Sequence, residues 1–575
     1  MLIPNLLLLL AGVVAVAAGA FHVTDSSDSI KYTGLRRGNI EVFLGIPYAQ
    51  DTSGENRFKP PRPVRPTPGS TIDGTKPGPA CPQPLGQFSP PLALVNITEI
   101  SENCLNLNIA RPKLDRRAKK LPVLIWLHGG SFWYGSSSEP TTAPEGLIRQ
   151  SVLNGAPVMH VSLNYRLGLF GFAQSNTLKS EGSENAGLRD QRLAIEWVRE
   201  HIATFGGDPE NITILGQSSG GLAVGMQILA YGGTKPLPFQ RGSAQSQSNE
   251  PGITANFTID AMTVLAQNVS CVSDDIHSPD VIACLREKDT DTLLKASIAT
   301  YASDIAHNIG DIWLPVVDGD FLPDAPSKLI ADGRFGNATF MTGWTQSDLN
   351  FYTNTSIATA QDTYDFIRAY LPGLTEDQLK DLLDLYPQDE FKPGVNLTSE
   401  FYRSARIFRD VLMVCPSLYY GRAVAAKHSE AVYHYNFNQT IVGPIIDAML
   451  NVSGLGAGHT SEFAYIFDSF RAYNSSEHPI YPSVSDYQLM ERASRSWSSF
   501  AATGDPTYLC LEHIPHKTVR GWKTAYEGDA ETGPFIMTIG GPNEEISAAG
   551  GPPEQRLVER CGFLNDPEII AALAY

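Results

Sequence analysis

The sequence contains no hydrophobic run long enough to cross a bilayer. Its longest apolar stretch, Leu6 to Ala18, is shorter than the ~20 residues a spanning helix needs. It ends in Ala18-Gly19-Ala20, a small-x-small pattern. Residues 1–20 therefore read as a secretory signal cleaved before Phe21, although Lys and Arg are missing from its n-region. Positive charge is scarce overall: 43 Lys and Arg stand against 61 Asp and Glu, a net charge of -18. That balance argues against binding nucleic acid or inserting stably into an anionic membrane. No Cys/His cluster has zinc spacing and no G-x-G-x-x-G opens a helix, so neither a metal nor an organic cofactor is implied. No internal repeat and no Gly/Ser linker divides the chain. Residues 21–575 are expected to form one domain with a large core.

Two residue counts agree with secretion. Seven cysteines stand at 81, 104, 271, 284, 415, 510 and 561. In an oxidising compartment most should pair, with one left over. Sequons of the form N-x-S/T occur at Asn96, Asn211, Asn256, Asn268, Asn337, Asn354, Asn396, Asn438, Asn451 and Asn474, against roughly four expected from this composition. Asn211 abuts a predicted strand and is not expected to carry glycan.

The pattern along the chain alternates strands and helices. Asn39 to Tyr48 and Glu102 to Ile109 read as strands. Leu121-Pro-Val-Leu-Ile-Trp-Leu127 and Val158 to Tyr165 are continuous apolar runs, suited to central strands buried on both faces. Asp190 to Thr204 has helical periodicity. Residues 251–311, 362–385 and 397–427 are helical excursions that would cap the sheet. An open, mostly parallel α/β sheet with helices on both faces follows. In its midst a short strand, Ile212 to Leu215, runs into Gly216-Gln217-Ser218-Ser219-Gly220, and a helix begins near Gly221. A turn this tight requires small residues on both sides of Ser218. It lifts the serine hydroxyl clear of the backbone at the positive end of a helix dipole.

Further stretches make the likeness specific. These are Leu127-His-Gly-Gly-Ser-Phe132, Asn164-Tyr-Arg-Leu-Gly-Leu-Phe-Gly-Phe172, Asn185-Ala-Gly-Leu-Arg-Asp-Gln-Arg192, Phe205-Gly-Gly-Asp-Pro209 and Gly456-Ala-Gly-His-Thr-Ser-Glu462. Phe43-Leu-Gly-Ile-Pro-Tyr-Ala49, Arg57-Phe-Lys-Pro-Pro61 and Ser101-Glu-Asn-Cys-Leu105 accompany them. In this order they resemble the type-B carboxylesterase/lipase family of α/β-hydrolases over residues 30 to 565, and details such as Leu229-Ala-Tyr-Gly-Gly233 resemble its fungal secreted branch. The resemblance implies Ser218 as nucleophile, His459 as base and Asp348 as acid, in the chain order of an α/β-hydrolase. It implies the backbone N–H groups of Gly130, Ser131 and Ser219 as the oxyanion hole. It also implies the disulfides Cys81–Cys104, Cys271–Cys284 and Cys415–Cys561, leaving Cys510 free; a Cys510–Cys561 bridge is the rival.

Twelve histidines are present, and a lone histidine is usually structural. His459 is set apart by small neighbours on a loop-like segment. His128 is expected to shape the oxyanion loop and His160 to sit in a core strand. Asp318 and Asp320 are the rival acids, on a segment the family uses for structure. Three departures stand out. Ser131 replaces a third glycine, Gln217 and Ser219 replace Glu and Ala, and Asp348 replaces Glu.

The expected function is a secreted serine carboxylesterase acting on short to medium acyl or aryl esters. A lipase or sterol esterase of the same family is the alternative. Such enzymes often carry a long apolar flap between the first two cysteines, here only 23 positions apart. A catalytically dead adhesion or binding member is disfavoured because all three triad candidates are kept. A cholinesterase is disfavoured because Leu94 stands where that branch places a Trp. The partner is a small-molecule or lipid ester. The natural ester and the oligomeric state are left open.

Overall fold

The computed structural model describes residues 20–86, 97–114, 119–273, 275–304, 311–428, 431–476, 478–507, 518–526, 533–542, 544, 547–549, 552 and 555–575. The signal segment, Leu94, Asn96 and Cys510 lie outside them. The strands are β1 (Phe21–Thr24), β2 (Lys31–Arg37), β3 (Ile40–Pro47), β4 (Thr71–Asp73), β5 (Asn106–Pro112), β6 (Leu121–Leu127) and β7 (Met159–Leu163). They continue as β8 (Gly207–Gln217), β9 (Arg241–Gln245), β10 (Thr339–Thr345), β11 (Val432–Phe437), β12 (Phe535–Ile539) and β13 (Ser547–Ala549). One sheet joins them in the order β1-β2-β3-β5-β7-β6-β8-β9-β10-β11-β12-β13, with β4 beside β2. From β7 to β12 every pairing is parallel; antiparallel pairs close both ends. The fold is that of an α/β-hydrolase.

The two faces of β6 explain its unbroken apolar run. Val123, Ile125 and Leu127 join one core with the helices Ala186–His201 and Ser219–Leu229. Leu124 and Trp126 point the other way, into a core shared with the helix Val484–Thr503 through Leu489, Trp497 and Phe500. Successive side chains of a strand face opposite sides, so a strand covered on both has no polar position to spare. A third core holds two of the three predicted excursions, 362–385 and much of 397–427, while 251–311 packs into the first core through Met262, Leu265 and Leu285. In the third core Ala360–Tyr370, Glu376–Asp384, Ser399–Arg409 and Leu557–Leu564 pack against Trp344 and Ile536. Among the described residues no helix is long and apolar enough to cross a membrane.

Several motif residues serve the scaffold. Arg166 and Asp190 form a buried pair at 2.7 Å. Asn185 takes a left-handed conformation at the start of the Ala186–His201 helix, and its amide donates to Asp318. Asp318 also pairs with Arg189 at 2.9 Å, which places this rival acid in the framework. The structure pairs Cys81 with Cys104, Cys271 with Cys284, and Cys415 with Cys561. The last ties the helix Leu557–Leu564 to the start of Cys415–His428.

Beside the first disulfide, Arg57 grips Glu102 through two hydrogen bonds of 2.5 and 2.8 Å. Its other terminal nitrogen donates to the carbonyls of Leu285, Arg286 and Lys288. This buried guanidinium thus joins the N-terminal region to the segment that follows the second disulfide. Glu102→Ala would leave the charge buried without its partner and should cost ~3–5 kcal/mol. A lowered melting temperature reads that loss, and Arg57→Met with Glu102→Leu should recover part of it. A wild-type melting temperature in Glu102→Ala would show that the pair holds nothing together.

Candidate active site

Ser218 follows the last residue of β8 and precedes the helix Ser219–Leu229. The strand is longer than Ile212 to Leu215, and the helix begins two residues before Gly221. The serine has φ 58° and ψ -132°, a left-handed value costly for any side chain. Neighbouring backbone forces the shape. A Cβ on Gly216 would lie 2.2 Å from the carbonyl oxygen of Gly220, and one on Gly220 would lie 2.2 Å from that of Leu127. The turn is held by the Ser218 N–H donating to the Gln245 carbonyl on β9 at 2.9 Å.

Asp348 lies three residues beyond β10, fully buried. Its Oδ2 accepts the Thr345 N–H at 2.9 Å, and its Oδ1 lies 2.5 Å from Nδ1 of His459. Three further hydrogen bonds fasten the histidine loop to this turn: Ser347 N–H to Ala457, His459 N–H to the Asp348 carbonyl, and the Asn350 amide to Leu455. The imidazole packs near-perpendicular to Tyr352, centroids 5.5 Å apart. Gln217 Nε2 lies 3.1 Å from His459 Nε2. Among the hydrogen bonds of the described residues, none joins Ser218 Oγ to His459.

The oxyanion loop follows β6. Gly130, Ser131 and Phe132 all have positive φ (107°, 54° and 51°). The loop is pinned to the nucleophile turn by the Phe132 N–H, which donates to Ser219 Oγ at 3.1 Å. Among the described residues, no carbonyl accepts the N–H of Gly130 or Ser131. His128 stacks on Tyr165, and burial pushes its pKa down to about 4. Burial likewise takes the core histidine His160 to about 3. Ser218, His459, Gly130 and Ser131 line one cavity of about 350 Å³, walled by Trp126, Tyr352 and Phe463. The structure therefore brings together the serine, histidine, aspartate and oxyanion candidates that the sequence marks.

Sequence reasoning gave no role to Glu462, within the His459 motif. Its side chain is fully buried, and neither carboxylate oxygen has a hydrogen-bond partner among the described residues. Burial first, then repulsion from Asp348, lifts its pKa from 4.5 to about 8. A lone glutamate in a loop carries no sequence signal; only its burial marks it. Between pH 4.5 and about 8 the folded protein holds a proton here that the unfolded chain has shed. Stability therefore falls as pH rises through that window. Glu462→Gln removes this slope. Its stability relative to wild type should grow between pH 5 and 8.5, on the order of 3–5 kcal/mol. Melting temperatures of both proteins at the two pH values test it, and a constant gap would refute it.

Comparison with known proteins places this geometry in a family. The model of the Carboxylesterase family matches residues 29–546. A secreted lipase of Arthroderma benhamiae is 47% identical over 573 residues, 98% of this chain and 97% of the lipase. An inactive carboxylesterase-like protein of Byssochlamys spectabilis is 33% identical over 569 residues, 95% of this chain and 94% of that protein. The crystal structure of Aspergillus niger EstA superposes with a TM-score of 0.74 at 24% identity, covering 95% of this chain and 98% of that one. A match across nearly the whole sequence, on a fold whose strand ends gather these side chains around one cavity, makes the chain a member of the carboxylesterase family and a carboxylic ester hydrolase.

Proposed function

We propose that residues 21–575 form a single-domain secreted serine esterase in which Ser218, His459 and Asp348 act as nucleophile, base and acid. The observation that carries this reading is the Asp348–His459 hydrogen bond beside the cavity into which the Ser218 turn projects. With Nδ1–H donated to Asp348, Nε2 is left as an acceptor. A serine hydroxyl needs such a base to attack at neutral pH. The missing Ser218–His459 bond is compatible with the role, because catalytic hydrogen bonds are often loose until substrate arrives.

The steps follow from the residue types. Ser218 Oγ bonds to the ester carbonyl carbon while its proton passes to His459 Nε2. The carbonyl oxygen takes up the electron pair and receives hydrogen bonds from the N–H groups of Gly130, Ser131 and Ser219. Donors held in place for a developing oxyanion carry much of such a rate enhancement. The tetrahedral species collapses, the alcohol leaves with the proton from His459, and Ser218 is left acylated. Water, deprotonated by His459, then releases the acid and restores the serine.

Three disulfides, ten sequons and a relative named as secreted support export. Nucleic acid is not a fitting partner for so acidic a chain. The cavity volume falls at the lower end of the ~300–1,000 Å³ typical of small-ligand pockets, which favours short to medium esters. A lipase is the second reading, favoured by the 47% identical relative. Retention of all three triad candidates favours an active enzyme over a catalytically dead binding member.

Ser218→Ala should lower kcat by about 10⁶ and abolish labelling by an organophosphonate. Asp348→Asn should keep the fold and lower kcat by up to ~10⁴, by favouring the wrong imidazole tautomer. Near-normal kcat in either would remove that residue from the triad. Rates across p-nitrophenyl esters of rising chain length should peak at short to medium acyl groups. A maximum at long chains, with higher activity on emulsified triglyceride, would favour the lipase.

A further inference from the structure

Gln217 precedes the nucleophile and is almost wholly buried. Its amide nitrogen lies 3.1 Å from Nε2 of His459 and 3.4 Å from Nδ1. Those near-equal distances fix where it sits. An approach along the in-plane Nε2 lone pair would leave Nδ1 on the far side of the ring, much farther away. A position in the ring plane between the two nitrogens would overlap the ring carbon that separates them. The amide nitrogen therefore lies over the face of the imidazole. The in-plane lone pair of Nε2 is left free for a proton from Ser218.

We infer that Gln217 is a positioning residue for His459: its uncharged amide presses on the imidazole face and fixes the tilt at which Nε2 meets Ser218. The inference rests on His459 being the base. Asp348 holds the ring at one atom only, Nδ1, about which an imidazole can still rock. Tyr352 meets it edge-wise. The amide supplies the restraint perpendicular to the ring plane.

Charge matters at this position as well as shape. The ring is already surrounded by acidic groups: Asp348 bonds it, Asp311 interacts with it electrostatically, and Glu462 lies near Asp348. Tyr352 is a further titratable neighbour, packed edge-wise on the ring, and burial holds its phenol protonated. A carboxylate in place of the amide would stabilise imidazolium directly, and imidazolium cannot take the proton of Ser218. A neutral side chain leaves the base ready at lower pH.

Two variants separate shape from charge. Gln217→Met keeps the length and loses the amide. Its kcat should fall about tenfold with KM changed less than about threefold, since small misplacement of a reacting group is costly. Gln217→Glu keeps the shape. It should retain kcat within about threefold on the alkaline plateau, while the acid limb of its kcat/KM profile moves up by roughly one pH unit. Melting temperatures establish that each variant folds. Should Gln217→Met fail to fold, the acid limb of Gln217→Glu decides alone. An unmoved acid limb in Gln217→Glu, or wild-type kcat in Gln217→Met, overturns the inference. His459→Ala is measured beside them by organophosphonate labelling of Ser218. Labelling at the wild-type rate would overturn the assignment of the base, and this inference with it. Slow labelling in His459→Ala with unchanged Gln217 variants would overturn the inference alone.

Discussion

The active site depends on a steric constraint at the end of β8. Backbone from β6, β8 and the helix after Ser218 meets so closely that the positions of Gly216 and Gly220 have no room for a side chain. The chain can turn there only by placing Ser218 in a left-handed conformation. That strain is tolerated because parallel neighbours hold β8 on both sides, with Leu127 and Ala244 opposite Gly216. The same edge of the sheet supplies the other parts. The oxyanion loop leaves β6, Asp348 follows β10, and the His459 loop comes after β11. Parallel strands all end on one side, and a site assembled from several ends becomes a crevice at that edge.

Electrostatics at this edge are decided by donors as much as by charge. Asp348 and Glu462 are both fully buried, and the charge of Asp348 acts on Glu462. Asp348 accepts the Thr345 N–H and the ring of His459. Glu462 has no hydrogen-bond partner among the described residues and is pushed toward its neutral form. Hydrogen bonds to a carboxylate favour the anion, and burial without them favours the acid. Asp348, bonded to His459, is given a backbone donor, whereas Glu462, three residues after that histidine, is buried without one among the described residues.

How much of this was legible in the sequence varied with the kind of signal. The strand Leu121–Leu127 was legible to the residue, because burial on both faces admits only an apolar run. The strand Gly207–Gln217 was legible only in its apolar part, since its polar start pairs with β6 at Gly207. Ser218 was legible because the turn demands small residues at fixed offsets. His459 and Asp348 were marked by resemblance to a family, since isolated histidines and aspartates in loops have no periodicity. Glu462 and Gln217 escaped as site residues for a related reason. Their importance lies in what surrounds them, an unsatisfied burial in one case and an imidazole face in the other. Spacing along a chain does not encode such surroundings.

The attachment of His459 is uneven, and this has a chemical logic. Its backbone and Nδ1 side are fastened to residues 347–350 by hydrogen bonds from Ser347, His459 and Asn350 and by the contact to Asp348. The residue lines the cavity together with Ser218. A base that takes a proton from the nucleophile and delivers it to the leaving alcohol must serve two positions a short distance apart. Holding both nitrogens rigidly would favour one transfer at the expense of the other. The bond at Nδ1 fixes the tautomer and the Gln217 amide limits tilt out of the ring plane, so the freedom left is an in-plane swing of the Nε2 edge by the small angle between the two positions. The histidine lies on a loop, where fastening one side is possible, while the serine sits at a strand end that permits no movement.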